Sequence, residues 1–446
     1  MQARSALAAP ESVHRPASGR IVSGTCARFG WASSGLRLGR LAAVLACAAM
    51  AQPAAANPFD AAVLRDTRAS FIDVASRTRL LQTSKGDALL AASLPKVSDC
   101  ANAEPVLPPE GPMVIPPRYA SGNHGPVNPA YETTVKLYRD FENTAASLGN
   151  LYVATGEAGY AACLLTHLGR WADANALTGY TVSTAPGVSN QPWYQAEWSA
   201  SAAALALSQV VREPSLEPAA VDRVIAWLHR VSLKQTSYPG GENTCCNNHA
   251  YWRGLHATMV GVLANDQELF RWGLGRYALA IDQIAEDGSL PLEVARHEQA
   301  LHYQNYALLP LMVIAEIAAQ QGIDLYGYKA NDRDLHAAVG YLERTLPAAR
   351  DSERVDGKAK LDLRAFAPGR GDQAWAEIYR ARFGRDPLGL LSRPVFNART
   401  GGGATLLWYT PATAAQARLA PSSARAAPRE RNMALAKTQA HADSSH

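Results

Sequence analysis

Asn247-Asn248-His249-Ala-Tyr251-Trp252-Arg253 stands just after the adjacent pair Cys245-Cys246, and His256 follows three residues on. An amide, an imidazole and a guanidinium within one helical turn can bind a carboxylate and move a proton. A helix starting near Asn248, capped by Asn247 or Asn248, sets His249, Arg253 and His256 on one face at i, i+4 and i+7. The first turn of such a helix suits anions. Two histidines seven apart are a poor metal pair and no HExxH occurs, so the residues call for no metal or cofactor. The second cluster is Arg296-His297-Glu298-Gln299-Ala300-Leu301-His302-Tyr303-Gln304-Asn305-Tyr306. Arg296 and Tyr303 are seven apart, the spacing of one helix face. A cation there is expected to lower the pKa of the phenol, making it a base that can also return its proton.

The elements that must carry these groups read as helices. From Tyr131 onward apolar stripes of 3.6 period run to Gly156, then over Ala161–Trp171, Trp193–Val211, Pro218–Val231 and His249–Ala264. They continue over Asp266–Ala285, Arg296–Ala319, Leu335–Ala349 and Asp372–Phe383, with breaks at Gly, Pro and Asn. The one late strand signal is Ala404–Tyr409. Paired helices without a sequence repeat predict an all-α fold, an α/α toroid more than a solenoid. Residues 95–130 are irregular and rich in Pro and Gly, as a lid or binding loop would be.

Of 446 residues, 48% are hydrophobic and 18% charged, which excludes a disordered or collagen-like chain. The net charge of +4 is unevenly placed: +5 in residues 1–56, +3 in 418–446, and therefore −4 between them. A folded part of that sign argues against a nucleic-acid partner. Arg37 and Arg40, the apolar run Leu41–Ala51 and Ala54-Ala55-Ala56 read as an export signal, too short to span a membrane. The expected organisation is a signal region over 1–56, one domain over 57–410 and a disordered tail over 411–446, in a periplasmic monomer. Export gives the cysteines meaning. Cys100 and Cys163 could close a 63-residue loop, worth roughly 4 kcal/mol. Cys245 and Cys246, with Cα atoms about 3.8 Å apart, could bridge only in a tight turn; free thiols are the other reading.

Asn247-Asn248-His249-Ala-Tyr251-Trp252, followed by Arg296 and by Leu301-His302-Tyr303-Gln-Asn305-Tyr306-Ala-Leu, resembles polysaccharide lyase family 5, the mannuronate-specific alginate lyases. Glu268-Leu269-Phe270, Trp272, Gln283, Asp287-Gly288, Leu290-Pro291 and Glu293 match the stretch between, and the resemblance covers roughly 95–400. It implies an incomplete α/α toroid with a deep cleft, a lid loop at about 104–130, and disulfides Cys100–Cys163 and Cys245–Cys246. Its catalytic set falls on Asn248, His249, Arg296 and Tyr303, and its lid pair on Arg118-Tyr119, where lysine has become arginine. Gln304 replaces the family's histidine, and Arg253 has no counterpart we recognise. Trp193, Trp198, Trp252, Arg253 and His302 join Arg118 and Tyr119 as expected substrate contacts.

The implied reaction is β-elimination on a polyuronate, polymannuronate by default. Polyglucuronate and hyaluronan-like chains are further candidates. Two other classes remain in view. A glycoside hydrolase would need two carboxylates across a cleft, from Glu242, Asp287, Glu293 and Glu298. A non-catalytic polyuronate-binding or secretion protein would not need both His249 and Tyr303.

Overall fold

The computed structural model describes residues 57–96, 105–121, 124–183, 185, 190–241, 244–356 and 361–412. Two short helices, α1 (Val74–Thr83) and α2 (Ala88–Ser93), are each capped by an aspartate and lead to a small hairpin. Its strands β1 (Tyr119–Ser121) and β2 (His124–Val127) pair antiparallel, Tyr119 opposite Val127. The helices of the main body follow: α3 (Pro129–Thr155), α4 (Ala158–Asp173), α5 (Gln191–Val210) and α6 (Pro218–Thr236). Then come α7 (Asn248–Leu263), α8 (Gln267–Asp282), the one-turn α9 (Pro291–Val294), α10 (Ala300–Gln320) and α11 (Leu335–Asp356). Helix α12 (Ala374–Phe383), a two-residue ladder of β3 (Phe396–Asn397) with β4 (Gly402–Gly403), and α13 (Ala404–Trp408) close the described chain.

The burial pattern sorts these helices into two layers. Helices α5, α7 and α10 are buried almost all round, as only an inner helix can be. Helices α4, α6 and α8 keep one wet face and form the outer layer. Inner neighbours pack in order, α3 on α5, α5 on α7, α7 on α10, with outer α4 against α6 and α8 against α7. This is the incomplete α/α toroid.

Close approach of α7 and α8 depends on small residues. A Cβ on Gly261 would lie 2.5 Å from the Phe270 backbone nitrogen, and one on Gly273 would collide with Thr258 Oγ1. Asn247 and Asp266 cap the two helices, donating neither bulk nor strain, by accepting from His249 N and Leu269 N.

Two expected elements are corrected. Ala404–Trp408 is helical, because Gly401 and Gly402 take the left-handed turn and the ladder just before it. Helix α10 starts at Ala300, so Arg296 lies ahead of it, at the mouth of a 3-10 turn over His297–Gln299. Among the described residues no helix is long and apolar enough to cross a membrane.

Candidate active site

The first turns of the inner helices converge at one end of the toroid. Asn247 caps α7, which puts Asn248 and His249 in its first turn. The Asn248 backbone N–H donates to Glu293 Oε1 at 2.6 Å and its Nδ2 to Oε2 at 2.8 Å, so both carboxylate oxygens hold one residue. Glu293 comes from α9 and is fully buried; burial pushes its pKa up to about 7, against the pull of the Asn248 bonds and Arg296. That clamp joins the first cluster to the second, which spacing alone could not do.

His249 is gripped from α5. Its Nδ1 lies 2.6 Å from Oε1 of the buried Glu197, and its ring stacks on Tyr194 at 3.9 Å between centroids. Burial raises the pKa of the Glu197 carboxyl, opposed first by His249.

Arg296 Nη2 donates to Tyr303 Oη at 3.2 Å, and its guanidinium lies 4.3 Å from the centre of the Tyr303 ring. They meet across the bend before α10, not along one helix face. The expected lowering of the Tyr303 pKa is also corrected: burial outweighs Arg296 and Arg118 and lifts it above the ordinary phenol value. Tyr119 of β1 hydrogen-bonds Tyr303 and reaches Gln299 Oε1 at 3.4 Å, so the hairpin folds over the start of α10. Its base is tied down by Asn128, whose N–H donates to Arg118 O at 2.8 Å. His302 is half-buried beside Tyr303 and Tyr306, its pKa lowered by burial.

Several expected substrate contacts belong to the core instead. Trp193, Trp252 and Arg253 have at most 1% of their surface exposed, leaving nothing for a sugar to stack on. Arg253 donates to Tyr238 O at 2.7 Å and Thr244 O at 2.8 Å, and lies over Trp193, stapling the turn that leads into α7. His256 is buried on Ser232. Cys245 and Cys246 are bridged in that turn; Cys163 is disulfide-bonded, while Cys100 lies outside the described residues. Trp198 is 4% exposed and lies against Arg399 and His249.

Arg399 escaped the sequence reading. Its Nε donates to the buried Glu142 at 2.8 Å, and its guanidinium stands 4.3 Å over the Trp198 ring. Burial opposes its charge, yet Glu142 holds its pKa above the usual value. Glu197 and Glu142 were missed as well. For Glu197 the available signal was a lone carboxylate in the otherwise uncharged run 191–211, since a buried charge needs a partner.

The hydrolase reading loses its support here. Glu293 is occupied by Asn248, and Asp287 and Glu298 are exposed, Asp287 accepting from Ser289 N; the fourth candidate, Glu242, lies outside the described residues. An amide, an imidazole, an arginine and a phenol gathered at the N-termini of α7 and α10, with Arg399 close by, favour an anion and a proton transfer. A helical toroid carrying that set defines a polysaccharide lyase. A family model for alginate lyases matches residues 75–354, and the chain belongs to that family. A polysaccharide lyase of Stenotrophomonas maltophilia is 31% identical over 72% of this chain and 95% of its own. The crystal structure of alginate lyase A1-III from Sphingomonas species A1 is 53% identical and covers 79% of this chain and 99% of that one, with a TM-score of 0.73. A variant of that enzyme complexed with a tetrasaccharide gives 53% identity over the same shares and a TM-score of 0.75.

Proposed function

We propose that this chain cleaves alginate by β-elimination at mannuronate. The supporting observation is the Arg296–Tyr303 contact at 3.2 Å, set beside Asn248 and His249 at the converging helix ends. The C5 proton of a uronate is weakly acidic because the neighbouring carboxylate resists further negative charge. Asn248, Arg296 and His249 bind that carboxylate and stabilise the enolate-like transition state. Tyr303 takes the C5 proton in its deprotonated form, which burial disfavours in the free chain and the neighbouring Arg296 and Arg118 favour. The C4–O4 electrons leave with O4 as the C4=C5 bond forms, and the Tyr303 phenol returns the proton to O4. Each transfer contributes on the order of 10²–10⁴-fold. A C5 centre of opposite configuration presents its proton on the other face, where His249 is the base. Arg118, Tyr119, His302 and Arg399 line the polymer's path; both arginines complement a polyanion.

Residues 1–56 direct export to the periplasm, and the folded chain acts there as a monomer. That the similar A1-III variant is complexed with a tetrasaccharide supports an oligosaccharide or polymer substrate for this chain. Mass spectrometry of products from polymannuronate, polyguluronate and polyglucuronate tests the reading. Elimination leaves products one water lighter than hydrolysis does, with polymannuronate cut fastest. Products carrying the added water, or faster cleavage of polyguluronate, would contradict it.

A further inference from the structure

Glu197 has no role in the reaction as described, yet it is a fully buried carboxyl in direct contact with His249. It sits in the second turn of α5, with Oε1 2.6 Å from His249 Nδ1. Its other oxygen, Oε2, is buried and has no hydrogen-bond partner among the described residues. A carboxylate that close to an imidazole nitrogen requires a proton between them. The ring's second nitrogen, Nε2, has no protein partner among the described residues, and the His249 side chain keeps 17% of its surface open. Burying a carboxylate with one oxygen unbonded is costly, and a merely structural position would hold a neutral side chain more cheaply.

We propose that Glu197 is a positioning residue that pins His249 by Nδ1–H, fixes the ring's tautomer, and supports the protonated imidazole that meets the substrate carboxylate. The proposal rests on the reading that His249 acts in the reaction. The stack of Tyr194 on His249 holds the ring plane, and Glu197 fixes rotation within that plane. Charged and titratable neighbours of Glu197 are Arg253 on α7, Arg399 after β3, Tyr306 on α10, and Tyr180 and Tyr194 before and on α5. Burial works against the carboxylate, while His249 first and then both arginines favour it as the acceptor for Nδ1–H.

Glu197→Gln is nearly the same size and separates charge from packing. Its amide NH₂ in the Oε2 position would be a buried donor without a partner. The amide therefore turns its N–H to His249 Nδ1, and the ring proton moves to Nε2. Nitrogen-15 NMR of the full chain then reads a change from an Nδ1–H to an Nε2–H neutral ring at His249. On polymannuronate kcat falls between about tenfold and 10⁴-fold, as when a triad histidine is left in the wrong tautomer, with KM within about twofold. The alkaline limb of the rate–pH profile moves to lower pH, and thermal unfolding shows the variant folded. In a His249→Ala background Glu197→Gln costs nothing more. An unchanged tautomer, or a full loss of rate in both backgrounds, would overturn the proposal. A His249→Ala variant at the wild-type rate, with the tautomer change intact in Glu197→Gln, would instead overturn the catalytic reading of His249.

Discussion

At the residue scale the site is built from buried carboxylates that hold the groups facing substrate. Glu293 shows the consequence most directly. Its ionised form accepts two bonds from Asn248, while a protonated carboxyl loses one acceptor. With its pKa raised by burial to about 7 from an ordinary 4.5, the group binds a proton more readily folded than unfolded. Its contribution to stability is therefore present below about pH 4.5 and lost as pH rises through 7, on the order of 3 kcal/mol. Activity has the opposite sign, because the clamp on Asn248 needs the carboxylate. The wild-type rate falls below about pH 7 while this term favours folding; Glu293→Gln removes both dependences and lowers kcat at least about tenfold at pH 8. Rate–pH profiles and thermal unfolding across pH 5–8 check the two halves separately.

At the scale of elements, what matters is how α7 is seated, since its first turn carries Asn248 and His249. Arg253 and the Cys245–Cys246 bridge hold the turn ahead of it, and the packing of α8 holds its far half. Gly261→Ala drives a methyl to 2.5 Å from the Phe270 nitrogen, so the helices must part. The expected cost is about 1–3 kcal/mol of stability, read by denaturant unfolding, with kcat of the folded fraction nearly unchanged. Much of this scale was legible in the sequence, because apolar stripes of 3.6 period with Gly and Pro breaks report helices whatever they pack against. The position of Arg296 ahead of α10 is not legible, because seven-residue spacing cannot distinguish a continuous helix from a 3-10 turn that brings the same pair together. Trp193, Trp252 and Arg253 read from sequence as substrate contacts but lie in the core, because sequence records a side chain's chemistry and not its depth. Arg399, far along the chain from either cluster, becomes part of the site only when β3 and β4 return it beside Trp198.

For the whole molecule, the question is how a folded body of net −4 engages a polyanion. Overall charge repels it. The attraction is local, from Arg118, Arg296 and Arg399 and from the N-terminal ends of α5, α7 and α10. Raising salt from 50 to 500 mM, which shortens the screening length from above about 10 Å to well below it, should raise KM for polymannuronate severalfold and leave kcat within about twofold. Initial rates at fixed pH measure both. A KM that falls with salt would show that the body's net charge governs encounter.

In the proposed reaction Tyr303, held by Arg296, both removes the C5 proton and returns one to O4. Ultraviolet absorbance against time on polymannuronate, for the wild-type chain and for Tyr303→Phe, tests it most directly, because the C4=C5 bond left by elimination absorbs there. A steady rise is expected for the wild type, with a loss of at least about 10²-fold in Tyr303→Phe, folded and still binding polymer. A Tyr303→Phe trace rising at the wild-type rate, or a flat wild-type trace while the polymer shortens, would contradict it.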